Sequence, residues 1–275
     1  FYYGKLAKFL IKKKKALPLC GNNHTAFDQI EIFSRKYNKI KSQIININGI
    51  KTLSKDQKKN ILKDLKKITS KRKNFLKKIN FSTPSIMGIL NSTPDSFSDG
   101  GKFNRNDKSF NHISKMIESG ADIIDIGGES TRPGSKTINT KLEWKRVKNV
   151  IKTFKKKYKK ACLSFDTRKS DLMIKGLDFG VDLINDISGF TYDHNSLARI
   201  NKCKIPKVLH HIQGTPNTMQ INPKYKNVLL DIYDFFEKNI NDNFTDDKII
   251  LDPGIGFGKT LKHKDRKSTR LNSSH

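Results

Sequence analysis

No stretch of this 275-residue sequence approaches 18 uninterrupted apolar residues, so no membrane-spanning helix is expected. The opening FYYGKLAKFLIKKKK also lacks the order of charge, apolar core and small-residue cleavage site that marks a secretory signal. It starts with Phe rather than Met, which reads as a missing natural start. Cysteine is scarce: Cys20, Cys162 and Cys203 fall at neither a metal-ligand nor a disulfide-framework spacing. Cys162 lies inside an apolar run and reads as a small core residue, and the odd count fits a reducing, cytoplasmic setting. Arginine is scarce as well. The formal charge is +29, yet only 9 of the 55 basic residues are Arg, the residue that specific phosphate and base readout favours. Aromatic residues are not interleaved with the lysines as single-strand binding requires. Abundant Lys, Asn and Ile together are what AT-rich coding produces without selection for binding. A cationic nucleic-acid-binding protein is thus the reading from another class, and it would bind with steep salt dependence. The favoured partner of the positive field is a small anionic substrate, with neither nucleic acid nor membrane expected.

What is present divides the chain. Residues 1–85 hold 22 basic against 4 acidic residues, and residues 1–82 form a Lys-rich extension without a catalytic signature. Within it Ile61, Leu62, Leu65, Ile68, Phe75, Leu76 and Ile79 recur near helical spacing and predict an amphipathic helix with a cationic outer face. From Ile86 short, unalternated apolar runs alternate with helical patterns. Strands are expected at 86–90, 122–126, 161–166, 182–186, 206–211 and 248–252, and helices at 107–119, 141–157, 169–178, 194–201 and 226–240. Gly120 and Gly180 each close a helix before a buried strand.

Such βα repeats build either a doubly wound sheet or a (β/α)8 barrel. Neither G-x-G-x-x-G nor a Walker motif follows the first strand. Instead each apolar run closes on a polar residue: Asn91, Asp125, Asp166, Asn185 with Asp186, His210 with His211, and Asp252. Many strand tips converging on one pocket is the barrel arrangement, so the fold class is α/β, a TIM-type barrel with about six βα units present.

Asp166, Asn185 and Asp252 directly follow apolar runs and should project into one cavity. Two carboxylates and a carboxamide suit a heterocycle with amino and ring N–H donors, such as a pterin or guanine edge. Each alone could equally be a helix N-cap. Asn91 leaves an amide oxygen for a metal or a phosphate-linked ligand. The stretch GGESTRPGS, with Ser130, Thr131 and Arg132, together with Lys259 and the glycines of GIGFGKT around Phe257, suits a pyrophosphate. The His210–His211 pair is ambiguous: one or both are candidates for wall residues, with metal binding the less favoured reading, and Asp125 reads as structural.

IMGILNSTPDSFSDGG, GADIIDIGGESTRPGS, SFDTRKS, DLINDISG, VLHHIQGTPNTMQ and IILDPGIGFGKT, in this order, resemble the dihydropteroate synthase family over residues 86–262. The methyltetrahydrofolate-dependent methyltransferases, the alternative enzyme reading, share the pterin-binding barrel but lack the TPDSFSDGG and ESTRPG loops. The resemblance implies a transferase of folate biosynthesis. It joins 4-aminobenzoate to 6-hydroxymethyl-7,8-dihydropterin diphosphate and releases pyrophosphate. By position it makes Asn91 the ligand of Mg2+ and gives the pterin to Asp166, Asn185 and Asp252. It gives the diphosphate and the incoming amine to Thr131 and Arg132, and the aminobenzoate to Phe97 and Pro133. Phe257 and Lys259 are placed with the substrate-binding set, and the family is often dimeric, so a homodimer is expected of the parent.

Two departures stand out. The family usually reads Met-His-Met where this chain has His210, His211 and Ile212. Its seventh and eighth strands, with Ser-Arg-Lys and Arg-Val-His motifs, have no counterpart. After Lys262 the residues HKDRKSTRLNSSH carry one apolar residue, Leu271, and residues 263–275 read as a non-native tail behind a partial barrel at 83–262. Six strands of eight leave an open seam, and the 275-residue chain by itself is expected to fold incompletely and to be inactive while its parent is active.

Overall fold

The computed structural model of the chain describes residues 1–37, 39–76, 78–93, 104–130, 135–245, 248–261 and 263, with only the backbone for 104–107. The chain divides into two compact units. The first holds residues 1–74 and 80–84. Strands β1 (Tyr2–Tyr3), β2 (Leu17–Leu19) and β3 (Asn22–Phe27) form an antiparallel sheet in the order β1-β3-β2, and helix α1 (Gly4–Lys12) packs Ala7 against Ala16 and Ala26. Strands β4 (Gln29–Lys36) and β5 (Lys39–Asn46) make an antiparallel ribbon. Helix α2 (Lys55–Thr69), capped by the Ser54 hydroxyl, buries Leu65 with Phe27 and Ile50. The extension is therefore more than a leader and a helix. Helix α2 is also shorter than its apolar period predicts. Ser70 takes an extended conformation (φ −74°, ψ 143°), and residues 75–79 belong to the second unit. There Lys78 Nζ donates to Asp182 Oδ2 at 3.0 Å and to the Ala161 carbonyl at 3.0 Å, and Leu76 and Ile79 are buried.

The second unit alternates strand and helix throughout. Its elements are β6 (Met87–Asn91), α3 (Asn104–Glu118), β7 (Ile123–Gly127), α4 (Thr140–Lys157), β8 (Cys162–Asp166), α5 (Ser170–Asp178), β9 (Leu183–Asp186), α6 (Ser196–Cys203), β10 (Lys207–His210), α7 (Val228–Asn243) and β11 (Ile249–Asp252). Each lies within about three residues of its predicted span. Gly120 (φ +98°) and Gly180 (φ +78°) end their helices in the left-handed region that favours glycine.

The six strands are all parallel and lie in strict sequence order, β6 through β11. A doubly wound sheet reverses its strand order at a switch point. Unidirectional winding with every helix on the same side is barrel winding. Among the described residues β6 and β11 are edge strands, with Ile86, Ile89 and Leu251 exposed.

Register and pleat fix what each face carries, because paired residues of parallel strands point the same way and successive residues alternate. Leu90, Ile124, Ile126, Leu163, Phe165, Ile184 and Leu209 point to the helix layer and pack with Val147, Val150, Ile151 and Phe154 of α4. Full burial of one such side chain stabilises by roughly 1.5–3 kcal/mol. Trp144 sits edge-on to Phe179 at 5.1 Å and tilted to Phe165 at 6.3 Å.

Candidate active site

The opposite face carries the polar residues. Asn91 pairs in register with Gly127, Gly127 with Asp166, Asp166 with Asn185 and Asn185 with Val208. Two residues further along, His210 pairs with Asp252. An even step preserves the face, so Asn91, Asp166, Asn185, His210 and Asp252 all project from the same concave side at the strand carboxyl ends. Asp125, two residues before Gly127, lies one layer deeper on that side. The expected convergence of strand tips therefore appears as one row of side chains.

Gly127 leaves the row open. A Cβ there would lie 3.0 Å from Asp166 Oδ2 and 3.5 Å from Asn91 Oδ1, so these two side chains flank a bare patch of backbone. Asn185 Nδ2 donates to Asp125 Oδ2 at 2.9 Å. That bond fixes the amide, leaving Asn185 Oδ1 as a buried acceptor without a partner among the described residues. Asp125 Oδ1 is likewise unpartnered. Asp252 Oδ1 accepts from the Gly254 N–H at 2.8 Å, while its Oδ2 stands 3.9 Å from His210 Nε2. The N-cap alternative fails for Asp166 and Asn185. Helix α5 starts four residues beyond Asp166, with its Ser170 N–H bonded to Asp193 Oδ2, and the turn after β9 uses Asp186 instead.

Carboxylates crowded near the strand carboxyl ends hold protons unusually well. Burial pushes Asp166 well above the ordinary carboxylate range, and the charges of Asp125, Asp186 and Glu143 push the same way. Burial also raises Asp125, and it raises Asp186 to about 6 against the hydrogen bonds from Ser188. A ligand rich in N–H donors would relieve this strain, because it supplies the hydrogens that the acceptors lack.

Around the row lies an ion cluster that sequence reasoning missed. Glu129 accepts from Arg168 Nη2 at 2.9 Å, Lys169 Nζ at 3.0 Å and the Ile138 N–H at 2.9 Å. Lys169 also pairs with Glu143, and Glu143 Oε1 accepts from the Thr167 hydroxyl at 2.7 Å. Burial raises Glu129, but its hydrogen bonds from Arg168, Ile138 and Lys169 outweigh that and hold its pKa below the usual value. The signal was present, since ES follows one strand and TRK the next, with opposite charges on neighbouring strand tips.

Lys259, expected to meet a pyrophosphate, is buried, and its ammonium donates to the Gly254 carbonyl at 2.8 Å, the Phe257 carbonyl at 2.9 Å and His211 Nδ1 at 3.1 Å. Three donors are thereby spent on holding the 254–258 loop. Phe257 stands at the row, its ring perpendicular to His210 at 4.6 Å. His210 and His211 point to opposite faces: His211 turns toward the helices, perpendicular to Phe235 at 4.9 Å. Phe97, Thr131, Arg132 and Pro133 lie outside the described residues.

A family model described as pterin binding enzyme matches residues 87–274. The chain belongs to the pterin-binding enzyme family. Within that family it is of the dihydropteroate synthase type. It is 40 % identical over 198 residues to the dihydropteroate synthase of Haemophilus influenzae, covering 70 % of this chain and 71 % of the relative. It is 45 % identical to that of Clostridium beijerinckii, covering 64 % of each. It therefore spans about two thirds of the length of these relatives. The crystal structure of Yersinia pestis dihydropteroate synthase in a sulfonamide drug complex superposes with a TM-score of 0.64 and 39 % identity, covering 70 % of this chain and 71 % of that one. These findings agree with the fold and family expected from the motifs. No helix among the described residues is long and apolar enough to cross a membrane.

Proposed function

We propose that the protein to which this chain belongs is a dihydropteroate synthase. It joins 4-aminobenzoate to 6-hydroxymethyl-7,8-dihydropterin diphosphate in a cytoplasmic folate pathway. The observation that carries the reading is the row of acceptors on one face, Asp166, Asn185 Oδ1 and Asp252 Oδ2, with Asn185 oriented by Asp125. A pterin edge offers ring N–H and amino donors to this set. In the Xanthomonas albilineans relatives, dihydropteroate synthase is seen with 4-aminobenzoic acid in one crystal structure and with 7,8-dihydropteroate in another.

In the reaction the bond from the pterin methylene carbon to the diphosphate oxygen breaks, and its electron pair leaves with the diphosphate. The arylamine lone pair then forms the new C–N bond, and the displaced proton passes to water. Positive charge develops on the pterin between these events. Once the pterin's N–H donors meet Asp166 and favour its ionised form, the carboxylates of Asp166 and Asp252 held against the ring stabilise that charge without reorganising, which matters more here than a strong base. Asn91 Oδ1, beside the open patch at Gly127, is a hard oxygen suited to Mg2+, which binds few protein ligands and completes its shell with phosphate and water. Bound there with Asn91, Mg2+ would neutralise charge on the leaving diphosphate. Thr131 and Arg132 take the diphosphate and the incoming amine, and Phe97 and Pro133 the aminobenzoate. The test is incubation of the full-length protein with both substrates and Mg2+, followed by mass spectrometry. Dihydropteroate and pyrophosphate in equal amounts are expected; failure to form dihydropteroate would refute the assignment.

A further inference from the structure

His210 is 98 % buried on the face that carries the acceptor row. We infer that His210 is a specificity-determining residue: its Nε2 and Asp252 Oδ2 form a two-acceptor clamp for a ring N–H beside an exocyclic amino group. The inference deepens the pterin reading and rests on it.

The tautomer follows from the partners. His210 Nδ1 lies 2.9 Å from the Ile187 carbonyl, which can only accept, so Nδ1 carries the hydrogen and Nε2 of the neutral ring bears a lone pair. That lone pair faces Asp252 Oδ2 at 3.9 Å, too far for a hydrogen bond between them. Asp252 Oδ1 is already engaged by the Gly254 N–H, so the outward-facing oxygen is Oδ2. Two acceptors at this spacing match the slightly diverging donors of a 2-amino-4-oxo pyrimidine edge, or both hydrogens of one amino group.

The ring cannot turn away. Phe257 stands perpendicular to it, and a Cβ at Gly254 (φ +59°) would meet His210 Cε1 at 2.9 Å, Nε2 at 3.0 Å and the His211 carbonyl at 2.1 Å. Only glycine admits this packing. The charged groups facing His210 are Asp252 from β11 and Lys259 from the loop beyond it; the turn after β9 contributes the neutral Ile187 carbonyl. Burial lowers the imidazole pKa, helped by Lys259 and opposed by Asp252 and the Ile187 bond, so the ring is predominantly neutral at pH 7. A methionine thioether is only a weak acceptor. Protonation would convert Nε2 into a donor toward Asp252, and the ligand would lose both acceptors at once. Affinity should therefore fall as pH drops through the His210 pKa.

The test titrates the full-length protein with pterin and with 4-hydroxypteridine, which lacks the 2-amino group, across pH 5–8. His210→Met should weaken pterin binding roughly tenfold and leave 4-hydroxypteridine unchanged. His210→Gln, which keeps an acceptor, should recover most of the preference for pterin. The acid-side loss that His210 adds should vanish in both variants, and the 15N shift of wild-type Nε2 should be that of an unprotonated nitrogen. A His210→Met protein with wild-type pterin affinity and an unchanged pH profile would overturn the clamp while leaving the pterin site standing. Should His210→Met fail to fold, the Gln variant and the pH profile decide the matter in the same way. A wild-type protein indifferent to pterin would instead overturn the proposed function, and the clamp with it.

Discussion

Asp252→Ala separates a ligand-binding role from a scaffolding one, because the structure assigns the two very different costs. The Asp252 side chain is about half exposed, and its one hydrogen bond among the described residues is from the Gly254 N–H to Oδ1. Losing that bond at a hydrated site costs about 1 kcal/mol of stability, which lowers Tm by roughly 2–4 °C in a chain of this size. The ligand loses more. A hydrogen bond to a charged acceptor is worth roughly 1.5–3 kcal/mol, so pterin affinity should fall by about one to two orders of magnitude. Pterin fluorescence titration and a thermal melt on the same samples measure both quantities. Asp252→Asn, which keeps one acceptor oxygen, should fall between wild type and Ala. Unchanged affinity, or a melt lowered by more than about 10 °C, would refute the reasoning, since either result makes Asp252 part of the scaffold.

Other residues give tests of different kinds. Asp186 has its folded pKa raised to about 6 by burial, so its contribution is fully present below the unfolded carboxylate pKa and is lost as pH rises through the folded value. Stability should therefore decline by about 3 kcal/mol between roughly pH 4 and 6 on its account, and Asp186→Asn should flatten that slope in denaturant titrations. Glu129 shifts the other way. Its stabilising pairs with Arg168 and Lys169 should be lost as pH falls through its depressed pKa, and Glu129→Gln should soften acid unfolding. Lys259→Ala should cost about 3 kcal/mol, as buried carbonyls of the 254–258 loop lose their donor. A normal melt with lost pyrophosphate binding would instead give Lys259 the anion-binding role expected of it. Cys162, whose thiol burial pushes up to about 12, should resist alkylation at pH 8 while exposed Cys203 is modified, and the reverse order by mass spectrometry would contradict the burial.

The barrel was legible because two independent signals agree at every strand. Runs such as IIDIG are buried on both sides, so their apolar residues are continuous, and the polar residue after each run marks where the wall opens. The position of Asp166, Asn185 and Asp252 directly after such runs then placed them together without any distance being known. Periodicity is local, whereas contacts are not, and that is where the reading failed. The helical period of residues 61–79 could not reveal that Lys78 is drawn to Asp182, so α2 was extended too far. GIGFGKT resembles an anion loop in composition, and composition could not reveal that the curl of the loop brings its own carbonyls to Lys259. The pair His210 and His211 looked ambiguous because adjacent residues of a strand serve opposite faces.

The account's central claim is that tips from separate strands meet one flat, donor-rich ring. A crystal structure of the full-length protein with bound pterin tests it most directly. The ring should lie on the concave side of the sheet, with its nitrogens within hydrogen-bond distance of Asp166, Asn185 and Asp252. A pterin bound elsewhere, with those three side chains still facing water, would contradict it.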